Sequence, residues 1–270
     1  MKIFCQMFLL VLLAGMFLGS SQKTDQPEQG REVVDLFLRF DNVAGNQNLV
    51  LNTMDYINAS GEAFNVSQLQ YFVSNIKFRC PNGKEFTVKQ DDSYFFIQEH
   101  EPATQTVKIK VPPGDYSRLT FVLGVDSLRN TMPISKRTGV LDPANSMDNG
   151  MYWAWNSGYI FFKIEGTSAA APADPTGNHK FRYHIGGFGG YKAPTINNIK
   201  TISLDLTKAG IVKVKKGRNA TIHIKADILK AFNGTANVSI AAHPSIMFSD
   251  YSVNIANNYS KMFAHDLTEN

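Results

Sequence analysis

The densest group of side chains that could do chemistry is the aromatic segment 151–159, which holds both tryptophans of the chain, Trp153 and Trp155. Side chains two apart on a β-strand point to the same face. If this segment is a strand, both indoles share one face, with Tyr152 next to them in the chain. Such a face can form an apolar core, an aromatic wall for a ligand or a platform for a cation.

The histidines are the next candidates, because neutral imidazole is the commonest nitrogen ligand for copper and zinc. The chain has six, and no two of them stand at the close spacing of a local metal motif. Around His184, the apolar residues Phe181, Tyr183 and Ile185 share one face of a strand, and Arg182 shares the other face with His184. His184 is therefore either an exposed strand residue or a ligand whose partners come from distant strands.

Motifs of the common enzyme classes are absent from the sequence. It has no Gly-x-Ser-x-Gly elbow, no phosphate-binding loop, no His-Glu-x-x-His and no Cys-x-x-Cys. The formal net charge is +4 and the basic residues are scattered, which is not typical of a nucleic-acid-binding protein. We expect a non-catalytic binding protein that does not bind nucleic acid.

The first 21 residues predict a secretory signal peptide, with Lys2, an apolar run over 7–18 and small residues at 19–21. The run is shorter than the ~18 residues of a membrane-spanning helix. No cysteine follows it, so a lipid anchor is not expected. We therefore expect an exported protein of the periplasm or cell surface, with no membrane span in the mature chain. The polar residues 22–31 predict a flexible leader.

The mature chain has the composition of a folded β protein. Cys80 is its only cysteine, so the fold must depend on its apolar core and not on an internal disulfide. About ten strands without alternating helices predict an all-β fold, an antiparallel β-sandwich. The clearest candidate strands are 34–40, 69–78, 94–97, 106–111, 116–125, 152–164, 180–185, 201–206 and 220–225.

One or two short helices complete the prediction. Asp227 is a candidate cap for a helix over 228–232, and Ile255, Tyr259 and Met262 lie at roughly helical spacing. No linker divides the chain, so residues 32–270 are predicted to form a single domain.

The order and spacing of several motifs resemble those of MbnP-like domains. The resemblance runs from about residue 36 to at least residue 232. Its motifs are Tyr-Phe-Val-Ser-Asn-Ile at 71–76, Gly-Val-Asp-Ser-Leu-Arg-Asn at 124–130, Leu-Asp-Pro-Ala-Asn at 141–145, Met-Tyr-Trp-Ala-Trp-Asn-Ser-Gly-Tyr at 151–159 and Tyr-His-Ile-Gly-Gly-Phe at 183–188. This resemblance implies a β-sandwich of the bacterial envelope, linked to copper binding and methanobactin-related copper handling.

The resemblance also implies a site. Relatives bind copper through histidines and a tryptophan oxidised to kynurenine, and the oxidation is attributed to a partner di-haem enzyme related to cytochrome c peroxidases. In this chain Trp153 or Trp155 is then the modified residue and His184 a ligand. Many relatives have a histidine at the end of the first strand, where this chain has Asp41. Asp41 can ligate a metal through oxygen, although carboxylates favour harder ions than Cu(I).

Two functions agree with these observations. The first is an exported copper-binding protein built around His184 and the tryptophans. The second is a non-metal binding or adhesion module, in which the same aromatic face recognises carbohydrate, peptide or protein.

Overall fold

Strand formation follows the alternation of apolar and polar residues. In the first strand Leu36, Leu38 and Phe40 are completely buried, whereas Arg39 between them is exposed.

The structure, a computed structural model, describes residues 32–153 and 158–270. The predicted signal peptide and leader, and Trp155, lie outside the described residues.

The strands are numbered in chain order. The first six are β1 (Val34–Ala44), β2 (Gln47–Asn48), β3 (Asp55–Ile57), β4 (Ala63–Arg79), β5 (Glu85–Thr87) and β6 (Tyr94–Gln98). The next six are β7 (Thr106–Val111), β8 (Gly114–Tyr116), β9 (Arg118–Leu123), β10 (Tyr152–Trp153), β11 (Gly158–Thr167) and β12 (Lys180–Gly186). The last five are β13 (Lys200–Asp205), β14 (Val212–Val214), β15 (Ala220–Asp227), β16 (Ser245–Ile246) and β17 (Phe263–Glu269).

The described helices are short. They are α1 (Ser127–Thr131), α2 (Pro143–Asp148), α3 (Leu229–Phe232) and α4 (Ser252–Tyr259), with 3-10 turns at Gln90–Asp92, Pro102–Gln105, Ile134–Lys136 and Gly139–Leu141. The side chains of Asp126 and Asp142 cap α1 and α2 by accepting a hydrogen bond from a backbone N–H of the first turn. Within the described part of the chain, no helix has the length and apolar character needed to cross a membrane.

Three sheets are formed by the described strands. The larger sheet has the order β13-β9-β4-β11-β12-β16, with β3, β5 and β6 also paired to β4 and β10 paired to β11. The smaller sheet has the order β17-β15-β1-β2, with β7 also paired to β1. A two-stranded sheet joins β14 to β8.

The main core lies between the larger and the smaller sheet. Phe40 of the smaller sheet contacts Tyr71 and Phe121 of the larger sheet edge-to-face, at centroid distances of 6.3 and 5.9 Å. Phe263 of β17 packs into the same aromatic group, 5.2 Å from Phe121. Glu32–Asn270 forms one compact unit around this core.

A second apolar cluster covers the outer face of the larger sheet, the face that points away from the main core. Phe72 of β4 belongs to this cluster, whereas its neighbours Tyr71 and Val73 point to the opposite face of the sheet and belong to the main core. The chain segment 125–151, which includes α1 and α2, contributes to this cluster. Its members are Phe72, Val125, Leu141, Met151, Trp153, Tyr159, Ile160, Phe161 and Phe188.

The structure confirms the predicted fold class and refines it. Strands dominate in a sandwich-like arrangement, and helices form at both predicted places, as α3 and α4. There are more strand segments than the ten expected, because several are only two or three residues long. The expected antiparallel pairing is also incomplete, since β1 pairs with β15, and β12 with β16, in parallel.

Candidate functional site

His184 lies on the outer face of the larger sheet. It projects from β12 away from the main core, because Tyr183 and Ile185 on either side of it are completely buried in that core. Only 13% of the His184 side chain is exposed, so it is more covered than an ordinary surface histidine. Its Nε2 donates a hydrogen bond of 2.6 Å to Oε1 of Glu165, on the neighbouring strand β11.

Glu165 is shared between two cationic side chains. Lys163 Nζ lies 3.5 Å from the same oxygen that His184 contacts. The hydrogen bond with His184 is the main reason why the pKa of Glu165 is lowered; burial opposes this effect, and the Lys163 charge adds to it. Glu165 is therefore an anion that orients the His184 ring and fixes which of its nitrogens faces the carboxylate.

A row of polar residues crosses this face of the sheet. Lys163 is directly opposite His184 in the β11–β12 pair, and Gln70 of β4 is opposite Lys163 on its other side. Gln98 of β6 continues the row beyond Gln70. Lys163 Nζ also lies 3.4 Å from the carbonyl oxygen of Gly150, in the segment that covers the sheet.

Trp153 shares this face with His184. Its indole lies against Gly186, where a Cβ atom would be 2.8 Å from Cζ3 of Trp153. Gly186 is two residues from His184 on β12, so both positions point to the same side of the sheet. Trp153 is 7% exposed and contacts Phe248 edge-to-face at 6.2 Å. The Trp153 indole therefore packs on β12 two residues away from His184, on the same side of the sheet.

Tyr152 lies on the border of the same apolar cluster. Its ring contacts that of Tyr159 edge-to-face at 5.2 Å, and its hydroxyl accepts a hydrogen bond of 3.1 Å from Arg137 Nη1. Burial raises the pKa of Tyr159 to about 12, and the Tyr159 hydroxyl donates to the carbonyl oxygen of Leu141. Both tyrosines anchor the covering segment to the sheet.

Asp41 is not brought to His184. It belongs to β1 of the smaller sheet, where it stands opposite Lys225 of β15. The next residue, Asn42, is buried, and its Nδ2 donates a hydrogen bond of 2.8 Å to Glu99. The residue after Asp41 is therefore a buried amide that is already hydrogen-bonded.

The hydrogen bonding of His184 leaves one ring nitrogen available to a ligand. Nε2 is bonded to a carboxylate, which is the usual outer-shell arrangement of a metal-binding histidine, and Nδ1 makes no hydrogen bond with a described residue. Trp153 provides an aromatic neighbour. Across residues 32–153 and 158–270, no three His, Cys, Asp or Glu side chains come together as a metal cluster. A metal held by His184 therefore needs further ligands.

Glu165 and Lys163 are site residues that sequence reasoning missed. Their spacing of two shows that they share a strand face, but nothing in the sequence indicates that this strand lies beside the strand of His184. The pairing of β11 with β12 supplies that information.

The segment 127–150 is anchored over the outer face by charged and polar contacts. The Tyr94 hydroxyl donates to Asp126, and Gln90 Nε2 donates to the same carboxylate at 2.9 Å. Arg129 is ion-paired with Asp91, and its guanidinium lies 4.9 Å from the centroid of the Tyr94 ring. These contacts hold α1 against the ends of β6 and its preceding turn.

The fold and the site together define a β-sandwich protein that carries a carboxylate-oriented histidine beside a tryptophan on its outer face. A family model described as MbnP matches residues 34–248. The chain belongs to the MbnP family, as its motifs predicted. This family is known from methanobactin-related copper handling, so a copper-associated role applies at the level of the family.

A similar solved structure is MbnP from Methylosinus trichosporium. The two chains are 16% identical, and the match covers 77% of this chain and 83% of that chain with a TM-score of 0.50. At this identity the likeness supports the fold and not a shared set of ligands. No curated protein matches this chain.

Proposed function

We propose that this chain is an exported copper-binding protein of the cell envelope. In this proposal His184 is a copper ligand, and Trp153 or Trp155 is the source of a kynurenine that contributes to the site. A di-haem enzyme related to cytochrome c peroxidases is the proposed oxidant of the tryptophan. Membership of the MbnP family supports the copper-associated part of this proposal.

The observation that carries the proposal is the position of His184 relative to Trp153. The two side chains share one face of the larger sheet, with Trp153 packed on Gly186 only two residues from His184. Cu(I) prefers few ligands, of soft or imidazole type, within an apolar shell. In this proposal the His184 imidazole is the ligand, and the indole packed two residues along the same strand face contributes part of that shell.

Glu165 has a positioning role in this site. By holding Nε2 of His184 at 2.6 Å, it leaves Nδ1 as the nitrogen that can bind a metal. Copper, when bound, supplies a soft cation that the imidazole can ligate. Lys163 compensates the charge of Glu165 when no metal is present, because it lies 3.5 Å from the same oxygen.

The first experiment is a Cu(I) titration of the mature protein by competition with a chromogenic chelator. We expect His184→Ala to lower the copper affinity at least tenfold, because loss of even an outer-shell partner of a ligand typically costs about 10–100-fold. His223→Ala is the matched control, because His223 also pairs with a carboxylate, Glu269 at 3.1 Å, but on the smaller sheet. Equal affinities of the wild type and the His184→Ala variant would remove His184 from the site.

The kynurenine part of the proposal has its own measurement. Peptide mass spectrometry of protein from the native source should show a gain of one oxygen and loss of one carbon at Trp153 or Trp155. Protein expressed without the di-haem partner should show both tryptophans unchanged. Unmodified tryptophans in native, copper-loaded protein would exclude the kynurenine while leaving copper binding by His184 intact.

Export is tested separately by cell fractionation. The full chain should be recovered in the periplasm or at the cell surface, and a variant that lacks residues 1–21 should remain inside the cell. Retention of the full chain in the cytoplasm would contradict the proposed compartment.

A further inference from the structure

An open cleft lies over the edge of the polar row on the larger sheet. Its volume is about 570 Å³, within the range of about 300–1,000 Å³ that small-molecule sites usually have. Strand β6 forms one side, and the segment from the 3-10 turn Gly139–Leu141 to the end of α2 forms the other. The lining residues are Phe96, Gln98, Gly139, Val140, Asn145 and Asn149.

Phe96 provides a fixed aromatic surface in the cleft. Its ring is stacked on Phe72 at a centroid distance of 4.9 Å and an interplanar angle of 26°. Phe72 is itself buried in the second apolar cluster, so Phe96 is packed against the close-packed part of this face. Phe96 and Gln98 are two apart on β6 and therefore point to the same side of the strand.

The polar groups of the cleft are carboxamides with free hydrogen-bonding capacity. Gln98 Oε1 accepts a hydrogen bond of 3.2 Å from Gln70, which leaves Nε2 of Gln98 to donate. Asn145 and Asn149 are one helical turn apart, since the backbone N–H of Asn149 donates to the carbonyl oxygen of Asn145 at 3.1 Å. Their side chains are exposed and make no hydrogen bond with a described residue.

Gln70, which donates a hydrogen bond to the lining residue Gln98, is itself incompletely satisfied. It is 1% exposed, and its Oε1 accepts no hydrogen bond from the described residues. A buried acceptor of this kind normally has a donor, because leaving it unpaired costs about 1–3 kcal/mol. Gln70 therefore adds a buried acceptor beside Gln98, with which it is paired on the neighbouring strand.

The chemistry of the lining selects one class of ligand. None of the six described lining residues carries a charge, so these residues offer no counter-ion to an anionic or cationic ligand. Carboxamides both donate and accept, which suits hydroxyl groups, and a fixed ring suits the apolar C–H face of a sugar. We propose that this cleft binds a neutral saccharide, at a site separate from His184.

The test is saturation-transfer NMR and calorimetry on the mature chain with maltotriose, mannotriose, cellotriose and chitotriose. Binding of at least one trisaccharide with a dissociation constant below about 5 mM is expected. The double variant with Asn145→Ala and Asn149→Ala should weaken it by about tenfold or more, because two donor–acceptor groups are lost. Since both side chains are exposed, this variant should keep the wild-type melting temperature.

Asn237→Ala is the matched control, because Asn237 is also exposed and its side chain makes no hydrogen bond with a described residue. It should bind the trisaccharide as the wild type does.

Absence of binding for all four trisaccharides overturns the proposal. Unchanged binding by the double variant overturns it as well. Binding of neutral tripeptides such as tri-asparagine in place of the saccharides would assign the cleft to a peptide and also reject it. Copper affinity should be the same in all these variants, which separates this test from that of His184.

Discussion

Glu62 connects the β3–β4 turn to a distant segment of the chain, and its removal should destabilise the protein strongly. Its Oε1 accepts hydrogen bonds from Ser239 Oγ at 2.7 Å and from the Ala241 backbone N–H at 3.0 Å. Its Oε2 accepts from Asn58 Nδ2 at 2.7 Å and from the Ile240 backbone N–H at 2.6 Å. One carboxylate thus satisfies four donors, three of which lie about 180 residues away along the chain.

The loss of stability depends on the hydrogen-bond donors that Glu62→Ala would leave unpaired. A hydrogen bond to a charged group contributes about 1.5–3 kcal/mol net, and the four bonds are not additive because they share one side chain. Water can replace the carboxylate at the exposed Ala241, whereas Ile240 is completely buried. We expect the free energy of unfolding to fall by about 2–4 kcal/mol, the equivalent of one to two such bonds. For a domain of this size that corresponds to a fall in melting temperature of about 4–16 °C.

The effect should depend on pH in a defined direction. Burial alone would raise the pKa of Glu62, but the hydrogen bonds from Asn58, Ala241, Ile240 and Ser239 together outweigh it and lower the pKa from 4.5. A lowered pKa in the folded state means that the ionised group stabilises the fold above the unfolded pKa. This contribution is lost as the pH falls below 4.5 and through the folded pKa.

The assay is urea unfolding of the wild type and of Glu62→Ala across the range from about pH 3 to pH 7. The difference between the two proteins should be constant near neutral pH and shrink in acid. Glu101→Ala is the control, because Glu101 is exposed and its side chain accepts no hydrogen bond from a described residue. A difference below about 1 kcal/mol, or one that persists unchanged at the acid end, would refute the reasoning.

Three further substitutions test how the outer face of the larger sheet is covered. Gly186→Ala would place a Cβ atom 2.5 Å from the carbonyl oxygen of Tyr159 and 2.8 Å from the Trp153 ring. We expect the free energy of unfolding to fall by about 1–3 kcal/mol and the tryptophan fluorescence to change. Wild-type stability of this variant would show that the indole does not pack there. Arg129→Ala should lower the free energy of unfolding by about 2–4 kcal/mol. It removes the hydrogen bond of 2.8 Å that the buried guanidinium donates to the carbonyl oxygen of Lys136, and its contact with the Tyr94 ring. Asp91→Ala should cost under about 1 kcal/mol, because Asp91 is 85% exposed, and equal costs in thermal unfolding would contradict this asymmetry.

Local patterns predicted much of the fold. The alternation in β12 correctly assigned Phe181, Tyr183 and Ile185 to the buried face, because side-chain direction in a strand follows the period of two. The helix after Asp227 forms as predicted, but its N-cap is Ile228, which makes no side-chain cap hydrogen bond. Asp227, one residue earlier, accepts at Oδ1 from the Leu229 N–H at 3.1 Å. The helices α1 and α2 were not predicted, although the sequence holds capping signals for both: Asp126 before α1, and Asp142 followed by Pro143 at the start of α2.

What the sequence by itself determined is the β-rich class, the faces of its strands, and the family to which its motifs belong. These follow from local periodicity, turn chemistry and the order of motifs along the chain. Only the tertiary structure decided which strands are neighbours, because pairing joins residues that are far apart in sequence. It therefore placed Glu165 against His184, packed Trp153 on Gly186, and left Asp41 on the other sheet.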